Sequence, residues 1–197
     1  MSAKPDAPAA RSNREAILGV LRQEYRATRT VLEIGSGTGQ HAVFFAAAMP
    51  ELTWQTSDRA GNHPGINAWI RDAGPGNVLS PVRLDVLADP PPEGPYDAVF
   101  SANTAHIMSV EAVAAMFRIV GAVLHHGGLF CLYGPFNLAG EFTSESNRRF
   151  DASLRAQNSR MGIRDVEALE ELATVNGMRL VRRYAMPANN MILVWEK

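Results

Sequence analysis

Short apolar runs alternate along the chain with segments whose apolar residues recur at helical spacing. The apolar runs predict seven buried strands, at residues 30–34, 52–57, 81–84, 96–101, 129–133, 180–184 and 191–195. Helical spacing predicts helices from Ser12, over 40–49, over 66–70, from Ser109 through Val123, over 146–157 and from Asp165. Ser12 and Glu15 form a predicted capping box, and Ser109 is a predicted N-cap. His125 and His126 suit the C-terminal end of the helix from Ser109, before Gly127-Gly128.

The order of these elements predicts the fold. Alternating strands and helices predict a parallel sheet with helices on both faces. Only a short segment around Pro187-Ala188-Asn189-Asn190 joins the last two strands, and it cannot make a parallel crossover, so they are predicted to be antiparallel neighbours. The predicted fold is therefore α/β and Rossmann-like, with a seven-stranded, mostly parallel sheet whose last strand is antiparallel. This is the plan of class I methyltransferases.

Composition and charge indicate the domain organisation, the partners and the location expected of this 197-residue chain. A hydrophobic share of 46% and a charged share of 20% are ordinary for a globular protein, and we expect one domain over residues 11–197. Residues 1–10 are rich in Ala and Pro, do not form a signal peptide, and predict a flexible arm. A net charge of −1 without a Lys/Arg block predicts no nucleic-acid partner, and no apolar run is long enough for a bilayer. The single cysteine, Cys131, favours a reducing, cytoplasmic location.

A glycine-rich turn follows the first strand and opens the next helix. It reads Gly35-Ser36-Gly37-Thr38-Gly39, and Glu33 stands two residues before it. Glycine allows a sharp turn and a close approach to a ligand, and open α/β sheets bind ligands outside the carboxyl ends of their strands. The dinucleotide pattern needs a glycine where Gln40 stands. G-x-G-x-G after an acidic residue is instead the pattern of class I methyltransferases, and it predicts bound S-adenosylmethionine (SAM); a turn without a ligand is the alternative.

Acidic residues stand at the ends of the first three predicted strands. Glu33 is placed to receive the ammonium group of SAM, directly or through water. Asp58 lies 19 residues after Gly39, where an acid pairs with ribose hydroxyls in nucleoside-binding folds. Asp85 is placed to accept from the adenine amino group. Helix capping would explain Asp58 alone, and a turn would explain Asp85 alone, but acids at three successive strand ends favour one common ligand.

The segment after the fourth strand lies where the methyl group of SAM is expected. It reads Asn103-Thr104-Ala105-His106, which is neither an Asn-Pro-Pro-Tyr nor a Pro-Cys motif, so amino-group methylation in that style and covalent cytosine methylation are disfavoured. His106 is the candidate general base because the ordinary pKa of histidine is near neutrality. A buried, hydrogen-bonded histidine is the alternative. Asn103 at the strand tip and His41 beside the glycine turn complete the predicted cofactor site.

Aromatic and amide side chains follow the fifth strand. Tyr133, Phe136 and Asn137 are predicted to roof the pocket and to bind the acceptor, where an aromatic ring can also attract the sulfonium. Core packing is the alternative, above all for Phe136.

Several sequence blocks occur together in one known family. They are Arg11-Ser12-Asn13-Arg14, Glu33 to His41, Trp54-Gln55-Thr56-Ser57-Asp58, Asn103-Thr104-Ala105-His106-Ile107, Tyr133-Gly134-Pro135-Phe136, Ser144-Glu145-Ser146-Asn147, Phe150-Asp151, Met161-Gly162-Ile163-Arg164-Asp165 and Met186-Pro187-Ala188-Asn189-Asn190. Through these blocks the chain resembles, over nearly its whole length, the methyltransferase-like family called domain of unknown function 938, the relatives of methyltransferase-like protein 26. The resemblance implies the class I fold and SAM binding.

The resemblance also implies an acceptor site that several distant segments build. Its predicted substrate-binding residues are Asn13, Asn147, Arg164, Asn189 and Asn190. Amides there would orient a polar acceptor; a tight turn is the alternative for Asn189-Asn190, and a surface ion pair for Arg164. The chain departs from the family at Ala16, where Pro is usual. It departs again at residues 158–162, where Asp-Pro-x-Trp-Gly is usual and where we expect the acceptor lid.

Taken together, these features predict a SAM-dependent methyltransferase that acts on a small molecule by direct displacement and releases S-adenosylhomocysteine. Two alternatives stay open. One is a SAM-binding module without catalysis that acts through a partner, and the other is an NAD-linked oxidoreductase, which Gln40 disfavours. We assign no metal site, and the sequence is compatible with a monomer or a homodimer.

Overall fold

The computed structural model describes residues 4–197. Nine strands are present in this range: β1 (Thr30–Ile34), β2 (Thr53–Asp58), β3 (Val78–Arg83), β4 (Tyr96–Ala102), β5 (Leu124–Gly134), β6 (Phe136–Asn137), β7 (Arg164–Asp165), β8 (Arg179–Met186) and β9 (Asn190–Glu196). Its α-helices are α1 (Pro8–Glu24), α2 (Gln40–Ala48), α3 (His63–Ala73), α4 (Val110–Val123), α5 (Glu145–Gln157) and α6 (Val166–Val175). Short 3-10 turns span Ala60–Asn62 and Pro187–Asn189.

Seven of the strands form one sheet in the order β3-β2-β1-β4-β5-β9-β8. Strands β1 to β5 pair in parallel, whereas β9 runs antiparallel to both β5 and β8. The predicted α/β fold, a mostly parallel sheet with its last strand reversed, is confirmed. From β1 the chain builds first toward β3 and then, after crossing over, toward β5. This reversal creates a crevice at the carboxyl ends of β1 and β4, where open α/β sheets bind their ligands.

Each face of the sheet has its own apolar core. Helices α1 and α2 cover one face with Ile17, Leu21 and Phe45. Helices α4 and α6 cover the other face with Phe117 and Leu169, among other residues. Burial on both faces explains why the central strands are continuous apolar runs rather than alternating ones. No helix within residues 4–197 is long and apolar enough to cross a bilayer.

The start of the chain differs from the expectation. Helix α1 begins at Pro8, four residues before the predicted cap, and the Ser12 hydroxyl donates back to the Ala9 carbonyl at 3.0 Å. Proline suits a first helical turn because its missing N–H would have no partner there. Residues 1–3 of the predicted flexible arm lie outside the described residues. Residues 4–7 contact the fold, since Trp69 Nε1 donates to the Pro5 carbonyl at 2.7 Å.

The junction of α4 and β5 also differs. The predicted Ser109 cap is present, and its Oγ accepts from the Ala112 N–H. The helix ends at Val123, as predicted, but β5 begins at once at Leu124 rather than at residue 129, so His125 and His126 lie in the strand. His125 Nε2 lies 3.0 Å from Asp97 Oδ1, beside the start of β4. The strand therefore starts five residues earlier than the apolar run over 129–133 predicts.

We predict that Phe130→Ala destabilises the protein by about 3–5 kcal/mol, because a fully buried aromatic ring leaves a cavity. The ring packs 5.4 Å from the Phe117 and Trp195 ring centroids. Urea unfolding measures the loss. The control, Val175→Ala at a side chain that is 79% exposed, should change the free energy of unfolding by less than about 0.5 kcal/mol. Equal losses in the two variants would contradict this description of the core.

Candidate functional site

A cavity of about 460 Å³ opens at the reversal of strand order. It falls within the roughly 300–1,000 Å³ of small-molecule sites. Five of the predicted cofactor residues line it: Gly35, Gly37, Asp58, Asp85 and Asn103. They come from the carboxyl ends of four adjacent strands, so the parallel sheet brings together residues that are far apart in sequence.

The glycine turn fits its surroundings only without side chains. A Cβ on Gly35 would stand 2.7 Å from Thr104 Cγ2, and one on Gly39 would stand 3.0 Å from the Ile66 Cα. Both glycines have positive φ values, 75° and 89°, which other residues rarely adopt. The N–H groups of Gly35 and Ser36 both donate to the Ser57 carbonyl at 3.0 Å. The turn is therefore held by β2, by the segment after β4 and by α3.

Asp58, the last residue of β2, connects the turn to the far side of the cavity. Its Oδ2 accepts from the Gly37 N–H at 2.7 Å, and its Oδ1 accepts from the Arg59 N–H and from Asn62 Nδ2 at 2.7 and 2.9 Å. A carboxylate oxygen has about two acceptor positions. Oδ1 is thus filled by the protein, whereas Oδ2 keeps one free acceptor position, and Asp58 lines the cavity.

Asp85 lies at the end of the cavity beyond β3. Its Oδ1 accepts from the Leu87 N–H at 3.0 Å, and its own N–H donates to Asp89 Oδ2 at 2.7 Å. Leu84 and Leu87 line the cavity on either side of it. A half-buried acid between two apolar side chains suits a flat heterocycle that carries a hydrogen-bond donor.

Glu33 lies behind the turn and does not line the cavity. Its side chain is 2% exposed, and Trp54 Nε1 donates to its Oε2 at 3.1 Å. Burial raises the pKa of Glu33 to about 7, although hydrogen bonds from Trp54 and Ser36 act in the opposite direction. Near neutral pH this carboxyl is therefore close to the midpoint of its titration.

A second buried polar group involves α1. His41 Nε2 lies 2.8 Å from Asn13 Oδ1, and Asn13 also approaches the Tyr133 hydroxyl. Burial lowers the pKa of His41 to about 4, so the ring is neutral. Ser36, Gly39 and His41 thus support the turn from behind, and Asn13 joins α1 to the tips of α2 and β5.

His106 is buried beside the cavity but is not part of its lining. Its ring meets the Phe150 ring edge-on, with 5.3 Å between centroids. Burial, and then the positive charge of Arg164, lower the pKa of His106 to about 4. The imidazole is therefore neutral at physiological pH and able to accept a hydrogen bond, but it is a weak base.

Arg164 joins two loops through backbone carbonyls. Its Nε donates to the Ala105 carbonyl at 3.1 Å, and its Nη2 donates to the Arg160 carbonyl at 2.9 Å and also to Met108. The Gly162 N–H donates to the His106 carbonyl at 2.9 Å. These donors position the segment after β4, which is a different use from the predicted binding of an acceptor.

The remaining predicted acceptor residues lie outside the cavity lining. Phe136 is 1% exposed and belongs to the core, as the alternative held. Asn147 Nδ2 donates to Thr143 Oγ1 and to the Asn189 carbonyl, at 3.0 and 3.1 Å. Asn190 Nδ2 donates to the Pro187 carbonyl at 3.1 Å within its own turn. Asn137 Oδ1 is buried without a hydrogen-bond partner among residues 4–197.

Several residues of the cavity wall are not among the predicted site residues. These are Arg59, Asn62, Ile107, Met108, Asn158 and Arg160. Asn158 and Arg160 belong to the segment that departs from the family pattern, which was expected to cover the acceptor. They line the same cavity as the glycine turn, because the loop after α5 folds back onto the N-terminus of α4, where Arg160 Nη2 donates to Glu111 Oε2 at 3.2 Å.

We predict that Glu33→Gln flattens the pH dependence of stability between pH 4.5 and about 7. The folded state binds a proton at Glu33 in this range while the unfolded state has lost it, so stability falls as pH rises through the window. The total fall is on the order of 3 kcal/mol at about 1.4 kcal/mol per pH unit. Urea unfolding at pH 5 and pH 8 measures it. The exposed Glu171→Gln control should keep the wild-type slope, and an unchanged slope in Glu33→Gln would contradict the assignment.

Solved structures share the fold of this chain. They include SibL, an S-adenosylmethionine-dependent methyltransferase in its apo form (20% identity, TM-score 0.79), and PigF with SAH (17%, 0.77). A third is an O-methyltransferase family 2 protein from Planctomyces limnophilus DSM 3776 in complex with apigenin (13%, 0.75). These matches cover 95%, 92% and 93% of this chain but 55%, 54% and 61% of the neighbours, so this chain spans little more than half their length. At these identities the likeness shows the class I methyltransferase fold.

The family comparison covers nearly the whole chain. Residues 4–197 match the family described as Protein of unknown function (DUF938). This agrees with the resemblance carried by the sequence blocks around the glycine turn, the segment after β4 and the turn before β9. The chain has the class I methyltransferase fold and belongs to the DUF938 family.

Proposed function

We propose that this protein is a SAM-dependent methyltransferase for a small-molecule acceptor, with SAM bound in the cavity at the reversal of strand order. One observation carries the proposal: the glycine turn, Asp58 and Asp85 line a single cavity of about 460 Å³. Two of the solved neighbours, SibL and PigF, add support, since one is SAM-dependent and the other was solved with SAH.

The cavity suits an adenosyl group with an amino-acid tail. Asp85, with Leu84 and Leu87 beside it, would hold the adenine ring and its amino group. The free acceptor position of Asp58 Oδ2 would receive a ribose hydroxyl. Asn103, at the tip of β4, would lie beside the sulfur. Glu33 would act on the ammonium group through Ser36 or through water, because its side chain lies behind the turn.

The glycine turn argues against a dinucleotide. A pyrophosphate needs free backbone N–H groups at the start of the helix, but those of Gly35, Ser36 and Gly37 are already bonded to Ser57 and Asp58. At the position of the missing glycine, Gln40 Nε2 donates to Asp6 Oδ1 at 3.1 Å. This carboxylate would repel a phosphate, which favours SAM over NAD.

When bound, SAM supplies an electrophilic methyl group: the acceptor's lone pair forms the new bond, and the electrons of the carbon–sulfur bond pass to sulfur. The chain contributes binding and alignment. His106, neutral and beside the half-exposed Phe150, would accept a hydrogen bond from the acceptor. A base with a pKa of about 4 gives little proton-transfer driving force. Alignment of the acceptor with the methyl group would therefore supply most of the rate enhancement. Such alignment lowers the activation barrier by roughly 7 kcal/mol or more in good cases.

We predict that S-adenosylhomocysteine binds the wild-type protein and that Asp58→Ala weakens binding by about tenfold or more. The variant loses the acceptor for a ribose hydroxyl and the partner of the Gly37 N–H, and hydrogen bonds to a charged group are worth roughly 1.5–3 kcal/mol each. Titration calorimetry measures both proteins. The control is Glu51→Ala, which removes an exposed acid at the amino end of β2, away from the cavity, and should bind like the wild type. Failure of the wild type to bind would overturn the proposed function.

We also predict a methylated product when methyl-labelled SAM and a metabolite extract are incubated with the protein. His106→Gln should reduce transfer of the label by about tenfold or more, as loss of an aligning or proton-accepting group does, and should leave S-adenosylhomocysteine affinity within about twofold. Mass spectrometry identifies the product. Binding without any labelled product would support the non-catalytic alternative instead.

A further inference from the structure

The inner face of α1 changes character along its length. Ile17 and Leu21 are fully buried against α2 and the sheet. One turn earlier, toward the glycine turn, the same face carries Asn13 and Arg14. A cation on the inner face of a helix is costly unless an anion or a hydrogen-bond acceptor compensates it.

Arg14 has no such partner among residues 4–197. No carboxylate lies within ion-pair distance of it, and its Nε is buried without a hydrogen-bond partner. Its Cζ stands 4.4 Å from the centroid of the Phe44 ring, which holds the guanidinium by a cation–π contact. An aromatic ring over one face of a guanidinium leaves the N–H groups in the guanidinium plane available. These N–H groups are the ones that bind carboxylates.

Polar contacts connect this part of α1 to the neighbourhood of the cavity. Asn13, the neighbour of Arg14, bonds His41 just after the glycine turn and approaches the Tyr133 hydroxyl at the end of β5. The Tyr133 carbonyl accepts from the Asn103 N–H at 2.9 Å, and Asn103 lines the cavity. Because Asp85 follows β3 and Tyr133 ends β5, this part of α1 lies on the side of the glycine turn and β5, away from Asp85 and the proposed adenosine end.

We propose that Arg14 binds the carboxylate of the amino-acid tail of SAM; this inference rests on the proposed function. The tail carries one anion and one cation, and the described residues around the turn offer both complements. Glu33 is available to the ammonium group, and Arg14 is an unpaired cation near the same turn. The two arginines that line the cavity are placed differently from Arg14, since Arg59 adjoins Asp58 at the proposed ribose position and Arg160 pairs with Glu111.

The test compares two ligands that differ only in this carboxylate. S-adenosylhomocysteine has it, whereas decarboxylated S-adenosylhomocysteine keeps the adenosine, the sulfur and the ammonium group. Titration calorimetry would measure both ligands with the wild type, Arg14→Gln, Arg14→Lys and Arg22→Gln. Arg22 is the matched control, because it is an exposed arginine at the far end of the same helix, bonded to the Ala48 carbonyl at 3.3 Å.

Arg14→Gln should weaken S-adenosylhomocysteine binding by about tenfold or more, as loss of a charge-assisted hydrogen bond does, and leave the decarboxylated ligand within about twofold. Arg14→Lys should weaken S-adenosylhomocysteine binding less, since lysine keeps the positive charge but lacks the paired N–H donors of the guanidinium. Arg22→Gln should match the wild type. Equal weakening of both ligands by Arg14→Gln would mean that Arg14 only supports the fold, and no weakening would place the carboxylate elsewhere; either result overturns the inference. A wild type that binds neither ligand would reject the proposed function as well.

Discussion

The left-handed turn at the tip of β1 is the constraint on which the rest of the site depends. At Gly35 the backbone passes against the methyl group of Thr104, where a Cβ would stand only 2.7 Å away. Strands β1 and β4 flank the reversal of strand order, so this contact sets the width of the crevice between their tips. The turn is then held by the Ser57 carbonyl and by Asp58, both on β2. The protein thus uses the N–H groups of the turn for its own rigidity, and the cavity is shaped before a ligand enters.

Behind the turn, burial shifts two titratable groups toward their neutral forms. Burial holds the pKa of Glu33 near 7 and that of His41 near 4, so a low-dielectric region surrounds the turn. Charges brought into such a region interact strongly with each other. A ligand that carries an ammonium group and a carboxylate on one carbon would meet both complements there. Burial likewise makes His106 a weak base, so under the proposed function the rate would depend on alignment of the acceptor more than on proton transfer.

Sequence patterns predicted the sheet better than they predicted the wall of the cavity. Strand β1 was predicted with its observed bounds because an apolar run meets a glycine turn, and α4 begins after the predicted Ser109 cap. Local signals failed where tertiary pairing decides. Strand β5 begins at Leu124, which pairs with Tyr96 of β4, rather than at residue 129, and α1 begins at Pro8 rather than at Ser12.

The acids of the site follow strand ends, so the topology alone brings Asp58 and Asp85 together. Asn158 and Arg160 reach the cavity from a loop after α5, and no motif encodes where that loop folds. For Arg164, the sequence showed a cation but not that its donors bond the carbonyls of Ala105 and Arg160. Side chains that act through backbone contacts leave no periodic signal. The sequence therefore gives no direct signal of such contacts.

A crystal structure of the complex with S-adenosylhomocysteine would test the central claim most directly. The account predicts adenosine between Asp58 and Asp85, with the sulfur beside Asn103 and the amino-acid tail against the glycine turn. A ligand bound elsewhere, or an empty crevice at saturating ligand concentration, would contradict it.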